Sequence, residues 1–319
     1  MTDTAGAAGA GDAIEAVGFV GLGNMGGQLC ANLVATGHAV LAYDAAGPER
    51  VPPGATAAGS VADLARHVTV VVCSLPDGAA SESVAREIVA VPDRRVTHVV
   101  DTSTMGVTAA RAVDALLAGA GVAFVDAPVS GGVAGAKART LAVMYAGADA
   151  AVARVMPVLA GLSDTRRWVG DRPGLAQAVK LANNFLSATA LAATSEAVAF
   201  GVSVGVDMAT MVDVLDASSG RNTATSDKFP NHVVTGRYAS GFTSSLMDKD
   251  LQLYVGAVHT QGTPATIGEV TAGIWSGFAA VEPGVDFTRI YPYVERNSVR
   301  ASGPTARGDE GAPNAGGAS

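Results

Sequence analysis

The chain has 319 residues and a formal net charge of −8, and it is 49% hydrophobic but only 5% aromatic. That length fits two domains, each able to bury a core. The acidic balance argues against a nucleic-acid or acidic-membrane partner, because both demand a basic surface. Cys30 and Cys73 stand in separate apolar contexts and form neither a disulfide framework nor a metal spacing, so both are expected to be reduced core residues and no metal is expected. No apolar run reaches transmembrane length, and the N-terminus lacks a charged-then-apolar signal pattern; a soluble cytoplasmic protein without a membrane partner is expected. Residues 1–12 and 297–319 are rich in Gly, Ala and other small or polar residues and are expected to be disordered tails.

Ala16 to Val20 reads as a short apolar strand running into Gly21-Leu22-Gly23-Asn24-Met25-Gly26, with a helix pattern following through Val34. The three glycines have separate jobs: a tight turn, close backbone approach to a pyrophosphate, and close helix–strand packing. Free N–H groups at the helix start then receive the phosphates. His38 to Asp44 reads as the next strand, and Asp44 ends it 21 positions after Gly23, which turns a weak glycine motif into a dinucleotide-binding one. A carboxylate here accepts hydrogen bonds from the ribose hydroxyls and repels a 2′-phosphate. Ala45-Ala46-Gly47-Pro48 supplies no adjacent cation, and Arg50 reads as a solvated loop residue, so NAD is favoured over NADP.

The alternation continues. Val68 to Leu75 is a buried strand ending in the turn Pro76-Asp77-Gly78, and 79–90 is helical. Strands at 97–101 and 122–126 flank a helix over 107–118, and further strands are expected at 141–147 and 168–170. Such repetition implies a mainly parallel, doubly wound Rossmann-type sheet with ligand sites outside the carboxyl ends of its strands. Ser103, Thr104, Ser130, Gly131 and Gly132 fall at such ends, although Ser and Gly also populate ordinary turns. No Gly-x-Ser-x-Gly sequence is present, which makes Ser130 a poor nucleophile candidate.

From Leu175 to Phe200 there is neither Gly nor Pro, and the run is rich in Ala and Leu. It predicts one helix of roughly 39 Å at about 1.5 Å per residue, long enough to cross a domain boundary. Lys180, Asn183 and Asn184 share one face of it, either as a solvated stripe or as a ligand-facing cluster. The rest reads as an all-α domain, with helices at 207–216, 245–260 and 264–280 and a loop-rich stretch before 243. The expected organisation is a sheet domain over 13–173 and a helical substrate and dimerisation domain over 174–296. Arg221 is a candidate clamp for a carboxylate or a solvated helix-end residue. Lys249-Asp250 is a functional pair or a surface ion pair. Some helical segments are apolar on more than one side, which suggests burial against a second subunit.

Three motifs in order, Gly21-Leu22-Gly23-Asn24-Met25-Gly26, Asp126-Ala127-Pro128-Val129-Ser130-Gly131-Gly132 and Lys180-Leu181-Ala182-Asn183-Asn184, followed by Lys249-Asp250-Leu251, closely resemble the β-hydroxyacid dehydrogenase family over residues 16–295. The resemblance implies that Lys180 is the catalytic lysine, that Asn184 with Asn183 beside it holds the substrate, and that Ser130, Gly131 and Gly132 receive its carboxylate. It implies that Asn24, Met25, Leu75, Pro76 and Thr104 surround the cofactor and that Lys249 closes over the nicotinamide side. It also implies a homodimer or homotetramer acting on a small anionic hydroxy acid. Two positions depart from the family pattern, Ala176 and Arg139, where glycine is usual. The expected activity is NAD-dependent oxidation of a short β-hydroxy acid, or the reverse reduction. The rival readings are an imine or uncharged-carbonyl reductase on the same fold, which typically lacks the lysine found at 180, and a non-catalytic NAD-binding regulator.

Overall fold

A computed structural model describes residues 16–301. β1 (Val17–Val20) feeds α1 (Asn24–Ala35), and β2 (Val40–Tyr43), a two-residue β3 (Thr56–Ala57) and α2 (Val61–His67) follow. Next come β4 (Val70–Cys73) with α3 (Gly78–Val89), β5 (His98–Asp101) with α4 (Val107–Ala118), and β6 (Ala123–Asp126). A short β7 (Val129–Ser130) and α5 (Gly132–Lys137) precede β8 (Ala142–Ala146), α6 (Asp149–Leu162) and β9 (Thr165–Gly170). The sheet order is β3-β2-β1-β4-β5-β6-β8-β7, with β9 paired to β8. Pairing is parallel from β3 to β6 and between β8 and β9, whereas β8 runs antiparallel to β6 and β7.

The central strands β1 and β4 are buried at every position, as unbroken Val-rich runs should be when helices cover both faces. One core gathers Phe19, Leu29, Leu33 and Leu159 on one face, and a second gathers Leu64, Ile88, Val113 and Leu117 on the other. The direction of chain progression reverses between β1 and β4, which opens a crevice at their carboxyl ends.

The second half comprises α7 (Leu175–Ser203), α8 (Met208–Asp216), a π-helical segment Ala224–Val233, α9 (Ser244–Gln261), α10 (Thr266–Val281), a 3-10 turn Phe287–Arg289 and α11 (Ile290–Ala301). Trp275, Phe229 and Phe278 centre its core. Two expectations are corrected here. The loop-rich stretch contains the π-helical segment, whose entry is pinned by Asn222 Oδ1 accepting from the Ala224 and Thr225 amides, and whose polar residues and Pro230 hide it from a helix pattern. The C-terminal tail expected from 297 starts inside α11, which continues to Ala301; 302–319 and the expected tail at 1–12 lie outside the described residues.

The predicted long helix, α7, is 29 residues, and by length and composition alone it is apolar enough to cross a membrane, contrary to the expectation that no run would be. It is the spine of the helical domain, packed against α9, α10 and α11. It ends where Gly205 takes a φ of 97° and the Val206 amide returns to Gly201 O, a left-handed C-terminal stop.

The N-terminus of α7 has no cap from its own sequence, since Gly174 carries no side chain. Asp126, at the end of β6, supplies one: its Oδ2 accepts from the Gly174 amide at 3.0 Å and the Gln177 amide at 3.1 Å. The Gln177 side chain closes the joint. Its Nε2 donates to Asp126 Oδ1 at 2.7 Å and Ser103 O at 3.0 Å, while its Oε1 accepts from the Met105 and Gly106 amides. Both residues are fully buried, and burial pushes the Asp126 carboxyl up to about 6, against the downward pull of the Gln177 and Gly174 hydrogen bonds. A helix N-terminus favours a carboxylate, so the charge is accommodated where it is formed.

Arg139, where the resemblance implies glycine, does adopt a left-handed φ of 58°. Its guanidinium offsets that strain by donating to Gly161 O at 2.8 Å and Ala160 O at 3.1 Å, the open carbonyls at the end of α6. Ala176, the other departure, is fully buried beside the joint.

Gln177→Leu keeps the volume and strands buried donors and acceptors on two segments at once, 103–106 and the end of β6. Each such group costs about 1–3 kcal/mol, so urea denaturation should show a loss of at least about 3 kcal/mol. A loss below about 1 kcal/mol would mean that water or a shifted backbone replaces the amide.

Candidate active site

The glycine turn leaves β1 at the crevice. A Cβ on Gly21 would sit 2.3 Å from Ser74 O, and one on Gly26 would sit 2.0 Å from Gly21 O, so both are fixed by packing. A Cβ on Gly23 would meet nothing within 4 Å. Gly23 and Asn24 are exposed at the start of α1. No side chain caps that helix. Open space over unsatisfied amides is what a pyrophosphate requires, and the residues present fit a dinucleotide. Met25 is half-buried and packs against the core below the turn.

Beside the turn, a cavity of about 480 Å³ is walled by Tyr43, Asp44, Ala45, Gly47, Pro48 and Gly59. Asp44 Oδ2 accepts from the Leu22 amide at 2.5 Å, and Oδ1 accepts from the Ala46 amide at 2.8 Å. Arg50 is corrected from a purely solvated residue: its Nη1 lies 3.6 Å from Asp44 Oδ1, with the side chain 47% exposed. The backbone curls back through the 3-10 turn Pro48–Arg50 and returns that guanidinium to the carboxylate.

A larger cavity of about 710 Å³ lies between the two domains. Ser130, Gly131 and Gly132 reach it from the sheet domain, and Lys180, Asn183 and Asn184 reach it from α7. Gly131 and Gly132 have φ of 128° and 66°, a backbone that other residues rarely adopt, so the loop presents successive amides. Asn183 Nδ2 donates to Ser130 Oγ at 3.3 Å and Asn184 Oδ1 at 3.0 Å, tying the loop to the helix.

Behind the cavity, Asp250 on α9 is 2% exposed. Its Oδ2 accepts from Asn184 Nδ2 at 2.6 Å, and its Oδ1 lies 3.1 Å from Lys249 Nζ, an ion pair by distance without hydrogen-bond geometry. Lys249 Nζ donates to Thr104 O at 2.7 Å and Pro76 O at 3.2 Å, the carbonyls just beyond β5 and β4. Leu75 belongs to the same constellation, because its amide donates to Ser103 Oγ at 2.7 Å. Lys180 is only 6% exposed. Burial pulls its ammonium down to about 8, Asp250 opposes that shift, and Lys249 adds to it. An ordinary lysine titrates near about 10.4, so this one is set for proton exchange near neutrality.

Of the predicted site residues, the structure places Ser130, Gly131, Gly132, Lys180, Asn183 and Asn184 around the larger cavity, Asp44 in the smaller one and Met25 against the core. Arg221 does not reach the cavity; it is 69% exposed and its Nε sits 3.6 Å from Asp216 Oδ1, in the turn that follows α8. The adjacent Asn222 and Thr223 line the cavity instead, with Asp227, Lys228, Ser240 and Phe242. Sequence reasoning missed these residues, and it missed Gln177. Their signal was a polar cluster within a segment taken as loop and a lone glutamine on an otherwise apolar first turn.

Residues 16–170 match the family described as the NAD binding domain of 6-phosphogluconate dehydrogenase, and residues 174–294 match the one described as NAD-binding of NADP-dependent 3-hydroxyisobutyrate dehydrogenase. A probable 3-hydroxyisobutyrate dehydrogenase from Mycobacterium bovis is 34% identical over 285 residues, covering 86% of this chain and 96% of its own. A 3-hydroxyisobutyrate dehydrogenase from Pseudomonas aeruginosa is 34% identical over 293 residues, covering 86% and 96%. The solved structure of Mycobacterium tuberculosis 3-hydroxyisobutyrate dehydrogenase with L-serine superposes with a TM-score of 0.82 at 32% identity, over 88% of this chain and 99% of that one.

Asp250 is the one carboxylate that opposes the desolvation of Lys180. Asp250→Asn should lower the Lys180 pKa below its value of about 8, read by NMR of lysine labelled with ¹³C at Cε. An unchanged titration in the variant would show that the two groups do not interact.

Proposed function

Because the chain belongs to the β-hydroxyacid dehydrogenase family, and so is an oxidoreductase acting on a hydroxyl group with a nicotinamide cofactor, we propose that it interconverts a short β-hydroxy acid and its semialdehyde or keto acid, using NAD and Lys180. The observation that carries this reading is the buried, pKa-lowered Lys180 in a cavity shared with the Ser130-Gly131-Gly132 loop and Asn184.

The assignment of roles follows from what each group has left to give. The Ser130 hydroxyl and the Gly131 and Gly132 amides hold the substrate carboxylate. Asn184 spends one N–H on Asp250 and one lone pair on Asn183, and keeps one of each for the substrate hydroxyl. In oxidation, neutral Lys180 takes the hydroxyl proton; in reduction, its ammonium returns a proton to the carbonyl oxygen. When bound, the nicotinamide accepts or gives the hydride. Gly21, Gly23 and Gly26 with the start of α1 would hold its pyrophosphate, Asp44 its ribose, and Leu75, Pro76, Thr104 and Lys249 its nicotinamide side. The neutral Ser130-Gly131-Gly132 loop, read as a carboxylate receptor sharing the cavity with Lys180, weighs against an imine or uncharged-carbonyl reductase, and an intact proton-handling lysine weighs against a regulator.

The same reading takes the protein as a cytoplasmic homodimer or homotetramer. Exposed Leu186, Phe200 and Val204 along α7 and its stop, with Ile267, Val270 and Val281 on α10, support burial against a second subunit.

Two outcomes test the reaction. Oxidation needs neutral Lys180, so kcat/KM should rise with pH and level off above about 8, while the reductive rate should fall above the same value. Lys180→Ala should lose at least about 10²-fold in kcat and the limb near pH 8, with NADH binding retained. Near-normal turnover in that variant removes Lys180 from the proton path.

For the cofactor, kcat/KM with NAD should exceed that with NADP. Asp44→Ala should narrow the gap, because it removes the carboxylate and leaves Arg50 unpaired for a 2′-phosphate. Equal use of both cofactors by the wild type would mean that Asp44 does not meet the ribose.

A further inference from the structure

The cavity of about 710 Å³ extends beyond the groups given roles above, from the Ser130-Gly131-Gly132 loop to Asn222, Thr223, Lys228 and Phe287. The additional space is walled by the π-helical segment and the turn before it, and it contains a cation with no role in the reaction described above. Lys228 lines this wall with Asp227, Asn222, Thr223 and Ser240. Its side chain is 25% exposed, with Nζ 2.6 Å from Asp227 Oδ2 and 5.9 Å from the Phe287 ring centroid.

The neighbouring Asp227 does not exhaust this cation. Asp227 is engaged on both oxygens, with Oδ1 accepting from Asn231 Nδ2 at 3.0 Å and Oδ2 from Lys228. An ammonium has three donors, and the bond to Asp227 uses one. Phe287 shields one side of the charge from water, and partial desolvation strengthens its attraction for an incoming anion. Arg221, the cation that the sequence offered for this purpose, is turned to solvent.

We propose that Lys228 forms a second anion subsite at the far end of the cavity, so that the favoured substrates are β-hydroxy acids carrying another carboxylate on the opposite end of the chain. The proposal rests on the hydroxy-acid reading above. The Ser130-Gly131-Gly132 loop holds one carboxylate, Lys180 addresses the hydroxyl, and Lys228 pairs with the distal carboxylate while Asn222 and Thr223 offer polar contact along the way.

Binding and turnover separate this proposal from the reading it builds on. By calorimetry with NADH present, succinate, glutarate and adipate are compared with butyrate. The wild type should bind at least one dicarboxylate about 10-fold or more tightly than butyrate, Lys228→Met should abolish the difference, and Lys228→Arg should restore most of it. In turnover, Lys228→Met should lower kcat/KM for 2-(hydroxymethyl)succinate by roughly 10- to 150-fold and leave 3-hydroxyisobutyrate within about 3-fold. A wild type that binds no dicarboxylate more tightly than butyrate overturns the subsite, even if 3-hydroxyisobutyrate is oxidised. An equal loss on both substrates in Lys228→Met assigns the residue to structure and also overturns it. Dicarboxylate preference that depends on Lys228, without turnover of any hydroxy acid, upholds the subsite and defeats the proposed reaction alone.

Discussion

The buried contact of Asp126 with the first turn of α7 is the constraint on which the site depends. One carboxylate at the end of β6 caps a helix that begins in another domain, and Gln177 ties the same helix to the segments beyond β5. Lys180 follows Gln177 by one turn and Asn184 follows by two, on the same buried face. A helix fixed by hydrogen bonds at its first residues cannot rotate without breaking buried bonds, so the azimuth of Lys180 is set by the sheet domain. Rigid placement of this kind is what a proton-transfer group needs.

A second set of contacts acts at the level of charge. Asp250 holds the Asn184 amide, and Lys249 bridges from beside it to the Pro76 and Thr104 carbonyls across the crevice. Lys180 is buried next to this pair, and the opposing effects of Asp250 and Lys249 leave desolvation as the dominant influence on it. Its position is therefore polar in its neighbours and dry in its surroundings. Wetting the site would return its proton affinity toward that of an ordinary lysine, whereas losing Asp250 would lower it further.

Much of the architecture was legible in the residues. Apolar runs such as Val70–Cys73 announce buried strands, the glycine turn marks the crevice, and a stretch without Gly or Pro announces α7. The cluster of Lys180, Asn183 and Asn184 was legible because helical spacing puts three polar groups together. What escaped was set by tertiary geometry. Gln177 looks like an ordinary helix former until Asp126 is brought against it, and Asp126 at a strand end looks like a turn residue. Arg221 and Lys228 are seven positions apart, and only the path of a π-helical segment decides that the first faces water while the second enters the cavity. The return of Arg50 to Asp44 likewise depends on a short 3-10 turn with no periodicity of its own.

The left-handed Arg139 has an evolutionary consequence. Glycine adopts that backbone freely, so a lineage with glycine at 139 leaves the end of α6 free to vary. Once arginine occupies the position, its tolerability depends on the Ala160 and Gly161 carbonyls staying within reach. Substitution at 139 and any change in the length of α6 are thereby coupled, and the return path to glycine is easier than the outward one. Among descendants of this sequence, a change in the length of α6 should therefore accompany or follow loss of the arginine at 139.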